Sequence, residues 1–156
     1  MSYIDALELE INASGEDPAF AGGATDEAIS AFEKALGVKF PESYIEFLKK
    51  YGALSFAGDT YYGVTKSGID AVAVPSVAFA TKSARADGDA DDSMVVVKAS
   101  GYGPIYSIDT SIVGSSGEPV IVETELSFKR TKEKKIIYQN YQEFFSDMIR
   151  QAIKEL

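Results

Sequence analysis

The stretch from Leu36 to Gly52, LGVKFPESYIEFLKKYG, constrains this chain more than any other. It reads as the end of one helix, a tight turn and a complete second helix. Gly37 can take the left-handed conformation that closes a helix without a Cβ penalty. Pro41 suits a first helical turn, where no intrahelical N–H bond is lost and its ring presets the helical φ. Tyr44, Phe47, Leu48 and Tyr51 then share one face at helical spacing, and Gly52 closes the unit. Upstream, Thr25 or Asp26 can cap a helix whose buried stripe is Ile29, Phe32 and Leu36. The spacing therefore predicts a helical hairpin, with Ala28 and Ala35 allowing close approach.

Other segments carry weaker periodicities. Tyr3, Ile4, Leu7 and Ile11 predict a short amphipathic helix, followed by a connecting loop over residues 15–23. Beyond Gly52 the period changes to short β-rich runs, Leu54-Ser55-Phe56 and Tyr61-Tyr62-Gly63-Val64, split by a turn at Gly58-Asp59. Residues 69–74 are ambiguous, and Pro75 is placed to start a short helix. Met94 to Ala99, Pro104 to Asp109 and Pro119 to Glu123 read as strands, the last two joined by a turn at residues 114–117. Phe128 to Tyr138 predicts an exposed hairpin or long loop ending in a strand at residues 136–138. Tyr141, Phe144, Phe145, Met148, Ile149, Ala152, Ile153 and Leu156 follow helical spacing throughout and predict a terminal core helix.

The helical hairpin is similar to the signature of the SUKH superfamily, the Smi/Knr-like domains. The residues that carry it run from Ile29 to Gly52, with looser likeness at Tyr106-Ser107-Ile108-Asp109 and at Tyr141, Phe144 and Phe145. The resemblance implies one α+β domain over residues 1–156. Its expected parts are an N-terminal helical pair, a central antiparallel or mixed sheet and a C-terminal amphipathic helix. It further implies an immunity protein that binds and neutralises a cognate toxin in bacterial competition. The alternative within the same family is a regulatory or scaffolding module. No shared catalytic residues come with the resemblance.

Composition narrows the chemistry independently. With no His and no Cys, imidazole–thiolate and Ser-His-Asp systems are impossible within the chain, as are zinc sites built on those ligands. The expectation is a binding protein with no cofactor, metal or enzymatic activity. A net charge of −9 opposes general nucleic-acid binding, because a phosphate backbone would meet repulsion. No run of apolar residues is long enough for a membrane span, and the first residues lack the flank of a secretory signal. A cytoplasmic monomer or weak homodimer is the resulting expectation. The charge is uneven: eight acids precede the first base, Lys34, and five bases crowd into residues 129–135. An acidic body of this kind would attract a basic partner, such as a nuclease toxin.

Two segments are the candidate partner contacts. Asp87-Gly88-Asp89-Ala90-Asp91-Asp92 resembles a calcium loop, but Asp92 stands where an EF-hand needs Gly, and Lys98 where it needs Glu. It is read as a solvated acidic loop offering Asp87, Asp89, Asp91 and Asp92 to a partner. Asp59, Tyr61 and Tyr62 form the second group. If neighbouring strand residues point to opposite faces, one tyrosine is exposed and can anchor an interface; ordinary sheet packing of both is the favoured alternative. Asp109, on the alternating strand, completes the set. Gly101-Tyr102-Gly103-Pro104 leads into a strand, which makes it a tight turn and not a phosphate loop. The basic run Lys129 to Lys135 lacks interleaved aromatics and is read as a solvated edge that blocks strand pairing.

Overall fold

The computed structural model describes residues 2–101 and 103–156. Helix α1 (Tyr3–Ala13) starts at a Ser2 cap and buries Ile4, Leu7 and Ile11. Strand β1 (Ala19–Phe20) follows. The predicted hairpin is α2 (Asp26–Leu36) and α3 (Glu42–Tyr51). Thr25 caps α2 through its side chain, and Gly37 closes it with φ 69°. At that φ a Cβ-bearing residue is disfavoured, so the glycine sets where the helix stops.

The start of α3 departs from the sequence expectation. Pro41 is the cap residue, in an extended conformation, and provides no side-chain bond to the helix. The free amide of Ser43 is instead satisfied by Glu118, whose carboxylate accepts from the Ser43 N–H at 3.1 Å and from its hydroxyl. A helix N-terminus favours an anion for its orphan N–H groups and its dipole. Here the anion comes from the far side of the chain.

The strands form two antiparallel sheets where a single central one was expected. The first has three strands: β1, β2 (Leu54–Phe56) and β3 (Asp59–Tyr61) in that order. The second has four, β4 (Met94–Ala99), β5 (Ile105–Val113), β6 (Pro119–Thr124) and β7 (Lys135–Tyr138), each paired with its sequence neighbour. The only parallel element among the described residues is an isolated bridge between Gly63 and Ser76. Tyr62 links the two sheets, its N–H donating to the Val97 carbonyl at 2.9 Å.

The helix after Pro75 is longer than expected. Helix α4 (Val77–Asp87) is capped by Ser76 and ends at Gly88. It lies along β4, and Thr81 accepts the Val96 N–H at 3.0 Å, so the outer edge of β4 is covered. The expected exposed hairpin or loop over residues 128–138 is a one-turn helix α5 (Phe128–Thr131), with Phe128 buried, followed by β7. The turn before β5 closes with the Ser100 N–H on the Pro104 carbonyl at 3.2 Å, while Tyr102 lies outside the described residues.

Helix α6 (Tyr141–Lys154) closes the core as its periodicity predicts. Tyr141, Phe144, Phe145 and Ile149 are fully buried. Phe145 meets Phe47 at 5.0 Å and Tyr61 at 5.1 Å between ring centroids, and Tyr141 meets Tyr44 at 4.7 Å. One aromatic layer thus joins α3, α6 and the small sheet. Burying a side chain of this size contributes roughly 2 kcal/mol before entropy costs. No helix among the described residues is long and apolar enough to cross a membrane.

Candidate functional site

The candidate contact residues fall at opposite ends of β4 and on opposite faces of its sheet. Antiparallel register pairs Lys98 with Tyr106, on the face that packs against α6 through Phe144. Met94 pairs with Asp109, which by strand alternation faces the other way. Four residues of strand separate the two ends by about 13 Å.

At the first end, Asp59 opens β3 instead of sitting in the turn, which is made by Ala57 and Gly58. Its carboxylate meets the Lys98 ammonium at 3.4 Å. Lys98 is buried, and its Nζ lies 6.0 Å from the Tyr61 ring centroid and 5.7 Å from that of Tyr106. Of the two readings of Tyr61 and Tyr62, sheet packing holds and surface contact is corrected: both are buried. Tyr61 lies under Phe145, and the Tyr62 backbone is held on both sides, by Val97 and by the Tyr44 hydroxyl at 2.8 Å. Alternation exposes one residue only when one face of the strand is open; here α6 covers Tyr61 through Phe145, and Tyr62 lies just past β3 with its N–H on Val97 of the large sheet. Burial, and then the charge of Asp59, hold the Tyr61 phenol well above its ordinary pKa.

At the other end, the acidic segment and the basic segment answer each other. Asp87 is the last residue of α4 and not part of a loop. Asp89 faces Lys129 at 3.6 Å, a charge contact too long for a hydrogen bond. Lys134 lies between two carboxylates, 2.7 Å from Asp91 and 2.7 Å from Asp109. Asp109 is fully buried, which corrects its reading as a surface contact. Its Oδ1 accepts from the Ser111 N–H at 2.9 Å and the Ser111 hydroxyl at 2.6 Å. Ser93 has one hydroxyl proton and lies 2.6 Å from Asp91 against 3.2 Å from Asp109, so it donates to Asp91. The Lys134 ammonium fills the place a cation would take between these carboxylates.

The electrostatics follow from that geometry. Burial pushes the Asp91 carboxyl up, but the bonds from Lys134 and Ser93 outweigh it and its pKa lies below the ordinary value. Burial lowers Lys134, but hydrogen bonds to Asp109 and Asp91 outweigh that and its pKa is raised. Lys134 is therefore not a solvated edge lysine. Of the acidic segment, Asp87 and Asp92 carry no ion pair among the described residues. The Asp92 carbonyl accepts from the Arg85 guanidinium at 3.0 Å.

The family model described as SMI1-KNR4 cell-wall (SUKH_6) matches residues 26–145. That is most of the chain, from the first residue of α2 into α6. The protein belongs to the SUKH family. No curated protein matches the chain. The match begins with the helical hairpin from which the resemblance was read, and α1 lies outside it.

Three functional or structural anchors of this SUKH-family domain escaped the sequence reading: Lys98, Lys134 and Glu118. Lys98 did carry a signal, as the single base between residues 87 and 128. A lone Lys in the middle of a β-branched run, MVVVKA, asks for a buried partner. Lys134 and Glu118 carried none, since their partners stand 25 and 75 residues away in sequence.

Proposed function

We propose that this SUKH-family chain is an immunity protein that binds a cognate basic toxin, of nuclease type, and neutralises it by occlusion. Membership of the SUKH family carries the reading. The net charge of −9 supports it, because an acidic surface complements a groove built for nucleic acid and speeds association with it. The lack of His and Cys removes the commonest nucleophilic systems and fits a protein that acts by binding. The proposed setting is the bacterial cytoplasm, with the chain acting alone or as a weak homodimer.

The test is capture with tagged protein from source-cell lysate at low and moderate salt, with mass spectrometry of what is retained. The retained polypeptide is then assayed for nuclease activity with and without this protein. One toxin-like polypeptide held through moderate salt and silenced at equimolar protein is the expected result. Several weak, salt-sensitive partners would replace it with the scaffolding role.

A further inference from the structure

Part of the exposed apolar surface lies on the small sheet and on the loop that leads to Pro75. Phe20 is 58% exposed, and the segment entering Pro75 carries Ile69, Val72 and Val74 at 38%, 85% and 50%. Phe20, Leu54, Ser55 and Pro75 line one shallow concavity of about 190 Å³. An exposed aromatic at the rim of an apolar concavity is the kind of surface that marks an interaction site.

Two further features say what the patch fits. Strand β1 is the edge of its sheet. Ala21 donates to the Ala53 carbonyl at 3.1 Å, so antiparallel alternation turns the N–H and C=O of Phe20 away from β2 and toward the open edge. Exposed acids lie close to this surface in the chain: Glu16 and Asp17 stand before Pro18 at the entry to β1, and Asp70 ends the 3₁₀ turn Gly68–Asp70 in the loop that leads to Pro75. None of the three is ion-paired among the described residues. Lys66 is the one base in the loop from Val64 to Ser76. In the acidic segment at residues 87–92, Lys129 and Lys134 already neutralise Asp89 and Asp91, which leaves Asp87 and Asp92 as its unpaired acids among the described residues.

We propose that this face, built from β1 and residues 69–75, seats an extended basic strand of a partner protein. The partner's backbone adds to the β1 edge at Phe20, an apolar side chain enters the concavity against Phe20 and Pro75, and flanking lysines or arginines meet Glu16, Asp17 and Asp70. A second copy of this chain is the poorer occupant, since pairing two such faces would bring like charges together. The inference rests on the partner-binding reading above but adds a surface and a mode to it.

The experiment is an NMR titration of the full chain, ¹⁵N-labelled, with a capped heptapeptide of alternating lysine and valine, and in parallel with its glutamate–valine counterpart. Saturable amide shifts at Phe20 and at Val72 to Val74 are expected with the lysine peptide alone. They should weaken several-fold between about 50 and 200 mM salt. Phe20→Ser, at a position 58% exposed whose ring also meets Tyr51 at 5.8 Å, should weaken binding about tenfold while the amide spectrum away from β1 keeps the parent's dispersion. Leu126→Ser, an exposed apolar change elsewhere, should leave it unaltered. No shift at Phe20, shifts centred on residues 87–92, or equal response to the glutamate peptide would overturn the proposal. Changes at Phe20 that grow with protein concentration alone would assign the face to a second copy and overturn it too. A toxin captured equally well by the Phe20→Ser protein would leave the immunity reading standing and remove this surface from it. A successful titration without any toxin would do the reverse.

Discussion

Replacing Lys134 by Met removes the only partner that the Asp109 Oδ2 atom has among the described residues, held now at 2.7 Å. Asp109 is fully buried beneath Lys134, so the Met side chain that replaces the lysine stands between the carboxylate and solvent. The two bonds from Ser111 remain on Oδ1, but the carboxylate keeps an uncompensated charge in the interior. Breaking one side of a buried pair in this way costs about 3–5 kcal/mol. Asp91 adds little to that figure, because its side chain is 43% exposed and can rehydrate. For a chain of 156 residues the loss corresponds to a fall in Tm of roughly 9–15 °C. Urea unfolding followed by far-UV circular dichroism is the assay, since the chain has no Trp to report by fluorescence. The decisive comparison is the double variant Lys134→Met with Asp109→Asn, which removes both charges while keeping an acceptor for Ser111. It should recover to within about 1.5 kcal/mol of the parent, as paired removals of buried ions commonly do. A single variant within about 1 kcal/mol of the parent, or a double variant no better than the single, would refute the reasoning.

The same cluster sets a pH dependence. Asp91 has a lowered folded-state pKa, so its contribution is present above the ordinary value of 3.8 and is lost as pH falls through the folded value. Lys134 has a raised one, so its contribution is full below 10.5 and is lost as pH rises through the folded value. A Tm profile flat from about pH 5 to 9, and blunted at the acid end by Asp91→Asn, is the expected result. Glu118→Ala removes the distant cap of α3 and should cost about 1 kcal/mol in urea unfolding; an unchanged midpoint would mean that water satisfies Ser43 instead. Gly52→Ala places a Cβ 2.2 Å from the Gly22 carbonyl oxygen at a φ of 73°, and should cost at least about 2 kcal/mol or prevent folding. A soluble Gly52→Ala protein with the parent's Tm would show that the Gly22 strand entry shifts freely.

What the sequence determined by itself is what local periodicity and backbone preference encode. The stripe from Tyr141 onward fixes α6 and its buried face, and Thr25, Gly37 and Gly52 bound α2 and α3, because caps and 3.6-residue spacing act within one or two turns. The family was legible for the same reason, since its signature is a local helix-turn-helix pattern. Composition likewise excluded imidazole and thiol chemistry outright.

The tertiary structure alone decided where the charges went. Asp87 to Asp92 and Lys129 to Lys135 looked like separate solvated runs, yet folding brings them together through β5, β6 and α5. Residue spacing carries no record of that meeting, because Coulomb attraction depends on distance in space and not along the chain. The choice between packing and exposure for Tyr61 and Tyr62 has the same ground: alternation says which residues share a face, but only packing says whether that face meets water. The division of the strands into two sheets, the capping of α3 by Glu118, and the meeting of Phe20 and Pro75 at one concavity are all pairings between distant segments. They are settled by which surfaces the assembled helices and sheets leave free to touch, a property of the whole fold that no window of sequence contains.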